Sequence, residues 1–175
     1  MPGTVGVATL MVALALLALL HNSMAQVQNP RLSFCNVTTP RRVVLRGISV
    51  RGAMVGGTLQ VSYGMQVYQP LTADPIMKVT VSNSAGVPYG CYFGVGSCSY
   101  RLCGGTHDME MQLAKPWSNR CPIRPRTYRG TFQLALPPFI GYFVRDGRLR
   151  IQLQGIQQGK VFGCQAFTLR LTSNK

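Results

Sequence analysis

The chain has 175 residues and sets 18 Lys plus Arg against four acidic residues, a formal charge of +14. With two histidines in all, it offers little material for acid–base or metal-dependent catalysis. Its length suits one domain, and its charge favours anionic surfaces and ligands without specifying a fold.

The first element is an apolar run from Leu10 to Leu20, followed by Ser23-Met24-Ala25. It is short for a membrane span, and the small residues at positions 23 and 25 suit signal peptidase. We expect residues 1–25 to be a signal peptide and residues 26–175 to be one secreted domain. Val43 to Val50 reads as an early strand. Apolar residues then alternate with polar ones in Thr58–Tyr68, Met77–Val81, Arg148–Gln154 and Ala166–Leu171, the period of half-buried strands. Gly56-Gly57, Asp74-Pro75, Ser84-Ala85-Gly86, Asp146-Gly147 and Gln158-Gly159 supply turns between them. One short helix is expected, within His107–Lys115. Short strands separated by turns predict an all-β fold, an antiparallel β-sandwich or β-cup.

All six cysteines follow the leader. An even count in a secreted chain predicts three disulfides, with 15 pairings open. Zinc is not expected, because there is no Cys-x-x-Cys pair and His107 is the one histidine after the leader. Six residues separate Cys91 from Cys98, four separate Cys98 from Cys103, and Cys121 precedes Pro122. Asn36-Val37-Thr38 is an N-glycosylation sequon.

His107, Asp108 and Glu110 form the one acid–base cluster, since Asp74 and Asp146 belong to turns. No nucleophile elbow or phosphate-cradling loop accompanies it. No catalytic site, metal or cofactor is expected. The segment Leu134–Val144 is different. Two prolines and a glycine interrupt it, so it reads as a loop, yet Phe139, Ile140, Tyr142 and Phe143 crowd it. Bulky apolar side chains on a loop mark a contact surface. Arg145 and Arg148 follow, as suits a segment that enters an anionic bilayer and leaves cations at the headgroups. Tyr92, Phe93 and Val95 crowd a second short loop and could rim a cavity.

Three motifs together resemble the ganglioside-activator family, within the ML lipid-recognition group. They are Cys91 to Cys103 with its Val95-Gly96-Ser97-Cys98 centre; Cys121-Pro122 with Thr127-Tyr128 and a following strand; and Leu136-Pro137, leading through the apolar loop to Arg150-Ile151 and Gly163-Cys164. The resemblance spans Leu32 to Leu171. It implies the pairings Cys35–Cys164, Cys91–Cys98 and Cys103–Cys121. It also implies a β-cup whose apolar cavity takes in lipid acyl chains, and a membrane-inserting loop at Phe139, Ile140, Tyr142, Phe143 and Arg145. Vertebrate members of that family hold a fourth disulfide between the equivalents of Cys103 and Cys121, and this chain does not. The implied function is a non-enzymatic carrier of glycosphingolipid or phospholipid in the lysosomal lumen or outside the cell. It would work at anionic membrane surfaces and present lipid to a glycoside hydrolase such as β-hexosaminidase. A secreted cationic protein that binds lipids or glycans without a hydrolase partner is the alternative. Nucleic acid is not expected as a partner.

Overall fold

The computed structural model describes residues 26–36, 40–144 and 146–172. The expected leader and the Val37-Thr38 part of the sequon lie outside the described residues. Alternating sequence builds two antiparallel sheets. The smaller consists of β2 (Val43–Arg51), β3 (Thr58–Val67) and β8 (Thr127–Ala135), in that order. The larger runs β1 (Ser33–Phe34), β10 (Lys160–Arg170), β9 (Arg148–Gln157), β4 (Ile76–Ser82) and β7 (Ser99–Arg101). A small hairpin of β5 (Cys91–Tyr92) and β6 (Val95–Gly96) hangs beside β4. The Val81 N–H donates to Ser97 Oγ at 3.0 Å, and the Val79 N–H donates to the Cys98 carbonyl at 2.8 Å.

The early strand and the four strands read from the alternation all form, with ends shifted by a few residues. Their apolar positions turn inward: Leu59, Val61 and Met65 from β3, Met77, Val79 and Val81 from β4, Leu149, Ile151 and Leu153 from β9. Gln158 and Gly159 both take positive φ, 50° and 72°. A two-residue turn of that kind matches the twist of the β9–β10 hairpin it joins.

The two sheets touch along one side. There the Arg42 N–H donates to the Phe162 carbonyl at 2.8 Å. The buried Gln165 side chain accepts from the Leu45 N–H at 2.6 Å and donates to the Leu45 carbonyl at 3.1 Å. Any Cβ at Gly163 would stand 2.7 Å from the Val43 carbonyl oxygen, so only glycine allows this approach.

A short helix, α1 (Asp108–Ala114), covers the opposite side, burying Met109, Leu113 and Ala114. A 3-10 turn (Lys115–Trp117) follows it. Trp117, Leu71, Ile123, Tyr128 and Phe162 then plug one end of the sandwich as a compact cluster. Leu71 and Ile123 exchange backbone hydrogen bonds of 3.1 and 2.9 Å there, and the Trp117 indole donates to the Leu102 carbonyl.

Three disulfides close the described chain: Cys35–Cys164, Cys91–Cys98 and Cys103–Cys121. This is the pairing that the family resemblance implies. The first spans 129 residues and ties β1's exit to β10. The second pins the β5–β6 hairpin, and the third ties the segment before α1 to the one after it. Three disulfides place the chain in an oxidising compartment. Among the described residues no helix is long and apolar enough to cross a membrane.

The long Cys35–Cys164 closure restricts the unfolded chain most. Replacing both cysteines by alanine should cost about 2–5 kcal/mol. In urea unfolding this appears as a lower midpoint, and an unchanged midpoint would refute the assignment of a stabilising role.

Candidate functional site

The inner faces of the sheets do not meet over their whole length. They diverge from the plugged end and enclose an apolar cavity of about 520 Å³. Val43, Leu45, Ile48 and Val50 of β2 and Phe132 and Leu134 of β8 line one wall. Inner residues of β4, β9 and β10 line the other.

Tyr63, Tyr100 and Gln165, which line this space, are hydrogen-bonded within the protein. The Tyr63 hydroxyl donates to the Leu113 carbonyl and the Tyr100 hydroxyl to the Gly94 carbonyl, each at 2.8 Å. Burial pushes the Tyr63 phenol up to about 12, so it stays a neutral donor at any physiological pH. Gln165 spends both ends of its amide on Leu45. The lining is then mostly hydrocarbon and carries no charged side chain, which favours an apolar guest.

Two loops flank the mouth. One runs from Val87 through the β5–β6 hairpin. The other is the segment after Leu136-Pro137. The expectation of a plain loop there needs correcting, because Ile140–Phe143 form one helical turn, α2. Pro137 and Pro138 precede it, where the missing N–H groups would be unpaired in any case. Successive backbone bonds from Ile140 to Pro137, Gly141 to Pro138 and Val144 to Ile140 wind the turn.

That turn separates residues that the sequence analysis grouped together. Phe139 and Ile140 are half-buried and line the cavity, Phe143 lines its mouth at 55 % exposure, and Tyr142 points outward at 81 %. Arg145 lies outside the described residues. The hairpin divides in the same way. Tyr92 and Val95 line the mouth, while Phe93 sits at the tip, 92 % exposed. Asn36 of the sequon is exposed.

Tyr89 joins the two loops and was not singled out from sequence. Its hydroxyl donates to the Phe143 carbonyl at 2.8 Å, and the two rings meet edge-on at 6.3 Å. Only its place between Pro88 and the Cys91 hairpin could have marked it.

The acid–base cluster caps the short helix expected within His107–Lys115. His107 Nδ1 accepts from the Met109 N–H at 3.3 Å. The Glu110 carboxylate accepts from the Arg101 N–H at 2.8 Å and from the His107 N–H at 3.2 Å, completing a capping box. Asp108 accepts from the Gln112 side chain at 2.7 Å. None of the three lines the cavity. Among the described residues no group of three or more His, Cys, Asp or Glu could hold a metal ion.

No family model and no curated protein matches the chain. Among solved structures it is similar to the C-terminal domain of Wzt, with a TM-score of 0.46 and 7% identity over 83% of this chain and 80% of that one. It is also similar to a protein assigned as a beta-galactosidase of Bacteroides fragilis, with a TM-score of 0.36 and 17% identity over 79% of this chain and 17% of that one.

Partial burial pulls the Glu110 carboxyl upward, but the N–H groups of Arg101, His107 and Thr106 and the Arg101 charge outweigh it. The group therefore lies below its ordinary value. A lowered carboxyl contributes stability that is complete above its ordinary value and is lost as pH falls through its folded value. Glu110→Gln should thus lower the melting temperature near neutrality and flatten its decline in acid. A melting series from neutral to strongly acid pH reads this, and parallel curves for the two proteins would contradict it.

Proposed function

We propose that this protein is a non-enzymatic lipid carrier that takes acyl chains into its cavity and leaves the headgroup at the mouth. One observation carries the reading: a largely apolar space with no charged side chain in its lining, opening between two loops that expose aromatic side chains. Each methylene moved from water into such a space is favoured by roughly 0.8 kcal/mol. A cavity of about 520 Å³ falls within the usual range for small-molecule sites.

Phe93 and Tyr142, which point away from the cavity, are the anchors that enter the bilayer. Phe139, Ile140 and Phe143 guide the chain inward. Charge supports an anionic membrane as the source. Arg148 of β9 and Arg170 of β10 stand directly opposite one another on the outer face, both exposed, at the mouth end of their strands. Like charges paired across a ladder cost stability, and anionic headgroups would relieve that repulsion. The resemblance to the ganglioside-activator family points to a glycosphingolipid or phospholipid as cargo. It also points to the lysosomal lumen or extracellular space as the setting, and to a glycoside hydrolase such as β-hexosaminidase as the recipient.

The test separates uptake from anchoring. Mature protein is mixed with anionic vesicles, and protein-bound lipid is then measured by mass spectrometry after organic extraction. Val79→Trp, which fills the cavity wall, should abolish lipid recovery while leaving vesicle association intact. Phe93→Ala with Tyr142→Ala should weaken association about tenfold or more, from the apolar area lost. Wild-type protein that stays lipid-free and ignores vesicles would overturn the proposal.

A further inference from the structure

The cavity leaves one prominent feature unused. An open groove of about 1290 Å³ runs across the outer face of the three-stranded sheet. Apart from Tyr63, every ionisable side chain that lines it is a base: Arg31, Arg46, Lys115 and Arg129. The four carboxylates of the chain lie elsewhere, in the Asp74 and Asp146 turns and at the N-terminal end of α1. We infer that this groove binds a linear polyanionic glycan, one bearing sulfate or carboxylate groups along its length.

Three features support a built site over a scattered charge. Strand register sets Gly47 beside Gly64 and Gly64 beside Arg129, so bare backbone lies between the two arginine-bearing strands. A Cβ at Gly47 would meet nothing within 4 Å, and the space is left free for a ligand. The next row on the same face is Ser49, Ser62 and Thr131, with Ser62 Oγ and Thr131 Oγ1 3.0 Å apart. Hydroxyls in a row suit sugar hydroxyls.

Arg46 in the groove and Arg41 at its rim are also held in place. Arg46 donates to the Tyr68 hydroxyl and lies 5.9 Å from that ring's centre. At the rim, Phe34 carries the Arg41 guanidinium 3.8 Å from its centre. Guanidinium groups fixed in this way lose less freedom on pairing with sulfate or carboxylate oxygens.

The experiment measures binding of mature protein to a heparin oligosaccharide at physiological salt. Arg46→Gln with Arg129→Gln should weaken it at least about tenfold, the loss expected for two charge-assisted contacts. Lys78→Gln with Lys160→Gln removes the same charge from the other sheet and should leave it nearly unchanged. Arg46→Lys, which keeps the charge but loses the fork, should fall between and guards against loss of fold. Equal weakening by both double variants would overturn the inference. So would no binding by wild type, or equal affinity and sensitivity toward a single-stranded DNA of matched charge. Vesicle association should persist in the groove variant, so this result and the lipid proposal fail separately.

Discussion

The gap between the two apolar sheet faces governs the rest of this structure. Protein interiors are usually packed to crystal-like density, and a void costs stability in proportion to its volume. About 520 Å³ of unfilled apolar space forgoes the contacts that close packing would supply. The frame around it must therefore be held by other means.

The frame is held at its perimeter. At the plugged end, Leu71 and Ile123 are almost wholly buried against Trp117 and Phe162, which restores close packing where the sheets converge. Along one side, Gly163 brings the backbones of β10 and β2 together, and Gln165 fastens them with two hydrogen bonds. Along the other side, α1 spans from β7 to β8, and the Cys103–Cys121 bridge fixes the segments around it. The Cys35–Cys164 link ties the opening segment to the last strand. The mouth is the end that keeps its apolar residues exposed. There Tyr89 and Phe143 supply one hydrogen bond and one ring contact between the loops.

Much of the frame was legible in the sequence because strand alternation is local. Thr58–Val67 and Arg148–Gln157 announce which face is wet with no knowledge of their partners. β8 was anticipated only through the resemblance, since Thr127 to Ala135 holds Gly130 at an inner position and breaks the apolar period there. The helical turn at Ile140–Phe143 was read as plain loop because Pro137-Pro138 suggests interruption, whereas prolines at a helix start are tolerated. The split between inward Phe139 and outward Tyr142 depends on that turn, and composition alone does not encode it. The cavity depends on how far two sheets separate, a long-range quantity that no window of sequence contains. His107 and Glu110 belong to the short helix expected within His107–Lys115, and their spacing is that of the capping box that begins it.

The positive charge takes on meaning once its placement is known. A uniform +14 would repel itself and contribute only solubility. Here the cavity lining carries none of it, and two groups of bases stand on distinct outer surfaces. Arg148 and Arg170 stand near the mouth, while Arg31, Arg46, Lys115 and Arg129 line a groove on the opposite sheet. The first group suits a flat anionic membrane beside the exposed aromatic residues, since repulsion between neighbouring guanidiniums falls when headgroups lie between them. The second is an open groove that fits a chain, which can lie along it and place successive anions beside its bases. A carrier with both surfaces could stay concentrated near glycan-coated membranes while its mouth remains free to exchange lipid. Under the proposed reading, retention and uptake would fall to different surfaces, and neither would constrain the side chains that shape the cavity.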